Sequence, residues 1–124
     1  MITHSPIIED TLKNGGGTFR ADLRGRAELP ATGFMVSVSA INAIPLDHPR
    51  FRQRMTRWLE VAASECTSAS MFVGTWVDDG KVFIDVSECI EHEHVAVALC
   101  RVRDQKAFFN IAENRSVAVP ADLQ

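Results

Sequence analysis

The sequence contains no tyrosine, which removes one common general acid from consideration. Its three cysteines, Cys66, Cys89 and Cys100, show no Cys-x-x-Cys spacing. That argues against a zinc ribbon or a disulfide framework and for a reducing, cytoplasmic setting. No apolar run approaches the length of a membrane span, and residues 1–17 lack a signal-peptide core, so neither a membrane partner nor export is expected. There is no excess of positive charge either: 13 basic against 16 acidic side chains give a net charge of -3. A wholesale polyanion binder is thereby disfavoured, while a local basic patch is not. Gly-x-Ser-x-Gly, Gly-x-Gly-x-x-Gly, a Gly-Lys-Ser phosphate loop and His-Glu-x-x-His are all missing, so no cofactor is expected and a binding protein is favoured over an enzyme. The triple glycine at 15–17 precedes a strand pattern, not a helix, and so lacks the amide geometry of a phosphate cradle.

What is present is ordinary globular composition: 124 residues, 46% hydrophobic and 23% charged, enough for one domain with a core. Residues 1–17 read as a flexible arm, punctuated by Pro6, Asp10, Asn14 and Gly15–Gly17, with only Ile7 and Ile8 to bury. Residues 18–124 read as a single α+β domain. Alternation predicts short strands at 18–23 and 34–39. A helix follows over 48–64, capped by Asp47 and opened by Pro49, with Phe51, Met55, Trp58, Leu59 and Ala62 on one stripe. A second helix is expected from just after Ser87 to Asp104, burying Val95, Ala98, Leu99 and Val102.

Between them lies a hairpin, 71–77 and 81–86, around Asp78, Asp79 and Gly80. Asp-Gly suits a type I′ turn because both central residues need positive φ. Taking Asp79-Gly80 as the loop pairs Trp76 with Phe83 and Val73 with Val86. Val73, Thr75, Val77, Val82, Ile84 and Val86 then share one face, and Phe72, Gly74, Trp76, Phe83 and Asp85 share the other. Strands at 107–111 and 116–119 around Glu113-Asn114 complete the chain. The order from Phe34 is β-α-β-β-α-β: a mainly antiparallel sheet with two helices on one face, split β-α-β ferredoxin-like or a related meander.

Residues 72–88 (FVGTWVDDGKVFIDVSE) and 98–112 (ALCRVRDQKAFFNIA) carry a resemblance that spans 33–114. The chain resembles small uncharacterised proteins of actinobacteria and their phages and plasmids. The resemblance implies a standalone cytosolic protein carried by a mobile element, and it brings no activity or functional residue with it.

Three constellations could carry chemistry. Cys89, His92 and Glu93 would share a helical face at i, i+3 and i+4 and could supply three metal ligands, whereas His92 and His94 would diverge by about 200° in a helix and lie on the same side only in an extended segment. The competing reading is a solvated first turn whose acids complement the helix dipole. Arg50, Arg54 and Arg57 fall on one flank of the first long helix, with Arg52 on the other. Against Glu60 and Glu65 these four arginines leave +2 over residues 48–65, so the rest of a chain of net charge -3 stands at -5. That stripe could grip phosphates or an acidic partner, or simply cover the core edge with its stems. Phe72, Trp76 and Phe83 on an open sheet face could stack bases, but basic residues are missing there and Asp85 sits among them, so burial against a second copy is the simpler expectation. Cys66 and Cys89 are candidate nucleophiles without a histidine partner that spacing can place. The reading is a small cytoplasmic protein–protein interaction or regulatory module, self-associating as a homodimer and open to another protein partner. A metal-dependent or small-molecule enzyme built on Cys89, His92 and Glu93 is the alternative. Nucleic-acid binding through Arg50, Arg54 and Arg57 ranks third.

Overall fold

Asp79 and Gly80 set the frame. In the computed structural model, which describes residues 4–120 without the side chains of 39–42, both have positive φ, 50° and 71°. The turn joins β3 (Met71–Asp78) to β4 (Lys81–Ile90) in the expected register, with Trp76 opposite Phe83 and Val73 opposite Val86. Around this hairpin the sheet adds β1 (Gly16–Phe19), β2 (Phe34–Pro45), β5 (Ala107–Asn110) and β6 (Arg115–Ala118). The spatial order is β1-β3-β4-β2-β5-β6, and every pair is antiparallel. The helices are α1 (Ser5–Asn14), α2 (Phe51–Glu65) and α3 (Glu93–Val102).

β2 and β3, joined through α2, run parallel with β4 inserted between them. β4 and β5, joined through α3, have β2 inserted between them. Two interlocked split β-α-β units result, and the fold is α+β, as the element order predicts. β1 and β6 extend the two edges.

The helices all pack on one side. Val82, Ile84 and Val86 point to it from β4, Val73 and Thr75 from β3, and Ile44 from β2, all buried. Phe51, Met55, Leu59 and Ala62 of α2 close over them. Farther along the same side Val36 and Phe108 meet Ala96 and Cys100 of α3 in a second cluster. Phe34 and Phe108 meet there edge to face, 5.7 Å between ring centres. An ion pair of 2.8 Å between Glu88 and Arg103 ties β4 to the turn after α3. No helix among the described residues is long and apolar enough to cross a membrane.

Several elements depart from expectation. Residues 1–17 are not a loose arm over their described part. Residues 5–14 are helical, Pro6 sits in the first turn where no intrahelical N–H is needed, and Gly15 ends the helix with φ of 80°. Ile7 and Ile8 are buried in the main cluster, and the Thr11 hydroxyl meets the Thr75 hydroxyl at 2.7 Å in the interior. Arg26 clamps Asp10 with two N–H donors, at 2.7 and 2.6 Å. A third helix thus joins the two expected on that face.

The strand expected at 18–23 ends at Phe19, because the chain turns at Arg20, whose carbonyl accepts the Leu23 N–H. Asp47 does not cap α2. The helix starts at Phe51, and His48 Nδ1 accepts the Arg50 N–H instead. The second helix begins five residues later than expected, since residues 87–90 continue β4. Its buried positions are Ala96 and Cys100, while Val95 and Ala98 face outward and Val102 is 82% exposed. α3 is apolar nearly all round, so its phase was set by the sheet it meets and not by its own pattern.

Candidate functional site

With every helix on one side, the opposite sheet face has no helical cover among the described residues. Its makeup follows from the registers. Trp76 and Phe83 are directly cross-strand, their rings stacked 5.2 Å apart and 8° from parallel. Trp76 is 41% exposed and Phe83 half-buried. Phe72 lies on the same face, four residues from Trp76 and therefore about 13 Å away along the strand. The three aromatics are thus not one cluster. The Gly74–Asp85 pair separates Phe72 from the stacked pair.

That gap is built. Asp85 folds its carboxylate across Gly74, where any Cβ would collide with Oδ1. Its other oxygen, Oδ2, accepts from the Ser37 hydroxyl at 3.2 Å and the Ser87 hydroxyl at 3.4 Å. Burial pushes the Asp85 carboxyl above the ordinary aspartate range, partly offset by these two hydroxyls. Beyond this polar strip, Met35 stands between Cys89 on β4 and Phe109 on β5, all half-buried. The face therefore has an aromatic patch at the hairpin end, a serine–carboxyl strip in the middle and a Met35–Phe109 patch beyond. Sequence reasoning passed over Phe109, although the alternation of Phe108 and Phe109 contained the signal.

The metal-ligand reading loses its geometry. Cys89 belongs to β4, its sulfur beside Gly33, whereas His92 precedes α3 and Glu93 opens it, both exposed. The i, i+3, i+4 face needs one helix through all three, and the helix starts only at Glu93. His92 and His94 do come together, rings 5.7 Å apart, on the exposed surface. Among the described residues no group of three or more His, Cys, Asp or Glu side chains is arranged to hold a metal. Burial raises the thiols of Cys66 and Cys89 above their usual range, which disfavours the nucleophilic thiolate in both.

Arg50, Arg54 and Arg57 are brought together. All three are exposed and line one groove of about 400 Å³ on the outer side of α2, with Gln53 and Trp58. Trp58 is not fully in the core as its stripe position suggests; it is half-buried, packing on the main cluster with part of its surface toward the groove.

No protein-family model, curated protein or solved structure matches the chain.

Proposed function

We propose that the protein is a small cytoplasmic interaction module that works as a homodimer, with the helix-free sheet face as the interface. One observation carries this reading: three helices pack on one side, and the other keeps a stacked Trp76–Phe83 pair with Trp76 41% exposed. An exposed stacked pair of large aromatics is costly for a soluble monomer to leave wet. The patch lies at the hairpin end of the sheet, so a two-fold axis near Trp76 would bring each pair onto its copy. Six strands about 4.8 Å apart and roughly six residues long give a face of about 600 Å² in projection. Two copies would bury about 1,200 Å², at the lower end of stable interfaces, so micromolar association is expected.

Sedimentation equilibrium over a range of micromolar concentrations tests the reading. Wild type should follow a monomer–dimer isotherm, and Trp76→Glu should remain monomeric with an unchanged circular dichroism spectrum. A wild type that stays monomeric throughout, or a Trp76→Glu variant that dimerises as well as wild type, refutes it.

A further inference from the structure

The outer surface of α2 carries positive charge that its own surroundings leave unanswered. Arg52 is paired with Glu9, but Arg50, Arg54 and Arg57 form no ion pair among the described residues. Holding three guanidinium groups together on one flank without a counter-charge costs repulsion, in a chain whose remainder is acidic. Their groove does not end at Trp58. A second hollow of about 410 Å³ shares Arg54 and Trp58 and continues past Ile44, Pro45 and His48. The two adjoin at Arg54 and Trp58, an open channel that leads from the outer face of α2 toward the end of β2.

We propose that this channel binds a short segment of single-stranded nucleic acid, with phosphates on Arg50, Arg54 and Arg57 and one base against Trp58. The guanidinium fork fits phosphate oxygens with paired N–H donors, and Arg50 to Arg57 covers about 10 Å of helix. The half-buried indole that lines the groove beside these cations suits an unpaired base, whose ring face is accessible, whereas a duplex hides its base faces. Gln53, between the arginines, presents both a donor and an acceptor to a base edge. A carboxylate-rich peptide would satisfy the arginines but leave the indole without a stacking partner. An open channel encloses too little of a lone nucleotide to hold it well, whereas a strand adds contacts along its length. The channel lies on the helix side of the sheet, so the inference stands apart from the dimer reading.

The test is fluorescence anisotropy of the full chain with a labelled twelve-nucleotide oligothymidylate. Binding should be measurable at about 50 mM salt and weaken as salt rises, with a log–log slope of roughly -2 for three neutralised phosphates. Arg54→Gln with Arg57→Gln, both exposed and outside the core, should weaken it about tenfold and flatten that slope. In a Trp76→Phe background, the oligonucleotide should quench the remaining Trp58 emission. No binding at low salt overturns the proposal, as does binding indifferent to the two glutamine substitutions. A duplex of equal length or a free thymidine nucleotide that binds as tightly would overturn the single-strand assignment. Displacement by oligoglutamate at equal charge concentration would replace it with an acidic protein partner.

Discussion

Replacing Ile8 with alanine asks whether α1 belongs to the fold or merely rests on it. Ile8 is 1% exposed, within the cluster that includes Phe19, Val73 and Leu59. The substitution removes three buried carbons, worth about 0.8 kcal/mol each in transfer alone, or roughly 2.4 kcal/mol. An unrelaxed cavity of ~80 Å³ at about 24 cal/mol per Å³ adds up to 2 kcal/mol, and the better helix propensity of alanine returns a few tenths. The expected loss is about 3–4 kcal/mol, a large part of the 5–15 kcal/mol that typically holds a domain together. Urea unfolding at fixed protein concentration reads it. Leu12, on the same helix but 38% exposed, supplies the control: Leu12→Ala should cost under about 1 kcal/mol. If the two substitutions cost the same, or Ile8→Ala costs less than about 1 kcal/mol, α1 is not part of the cooperative core.

The Thr11–Thr75 hydroxyl pair gives a second check on the same docking. Thr11→Val or Thr75→Val alone strands one buried hydroxyl and should cost about 1–3 kcal/mol, while the double variant should cost clearly less than the sum, a coupling that a thermodynamic cycle measures directly. At Asp85 the sign runs opposite to an ordinary surface carboxylate. The folded state raises its pKa above the usual 3.8, so stability is complete below that value and falls as pH rises through the raised folded value. Asp85→Asn should therefore be more stable than wild type at pH 7, with the difference closing near pH 3. A variant markedly weaker at pH 7 would mean that the ionised carboxylate is the favoured form.

The hairpin was legible because turn chemistry and alternation agree: Asp79-Gly80 allows one tight loop, and any one-residue slip would turn Val82, Ile84 and Val86 away from the helices. The stripe of α2 was legible for the same reason, apart from Trp58, which is large enough to reach both core and groove. α1 escaped notice because Pro6 and Gly15–Gly17 read as breakers, whereas Pro6 is a first-turn proline, Gly15 a helix stop, and Gly16 and Gly17 the start of β1. Only Ile7, Ile8 and Thr11 mark its buried side, and Thr11 is buried through a partner 64 residues away. The phase of α3 was hidden by apolar residues on every side of it. β2 carries register shifts between Ser37 and Ser39 and between Ile41 and Ile44, which no local period announces. The aromatic face was correctly sorted from the sequence. Its division by the Gly74–Asp85 pair was also written there, in a glycine facing an acid. The arginines were visible as a stripe. The hollow that extends their groove past Ile44 and Pro45 depends on how β2 packs against α2 and could not be read from spacing.

The reading of the sheet face as an interface is tested most directly at Trp76 itself. A Trp58→Phe variant leaves Trp76 as the sole tryptophan of a chain that has two. Its emission maximum and acrylamide quenching can then be followed while the protein is diluted from high to submicromolar concentration. A dimer closed over this face predicts blue-shifted, protected emission at high concentration that turns red and quenchable on dilution, along the same isotherm that sedimentation gives. Emission that is equally red and equally quenchable at every concentration would show the face open to water in all states and contradict the account.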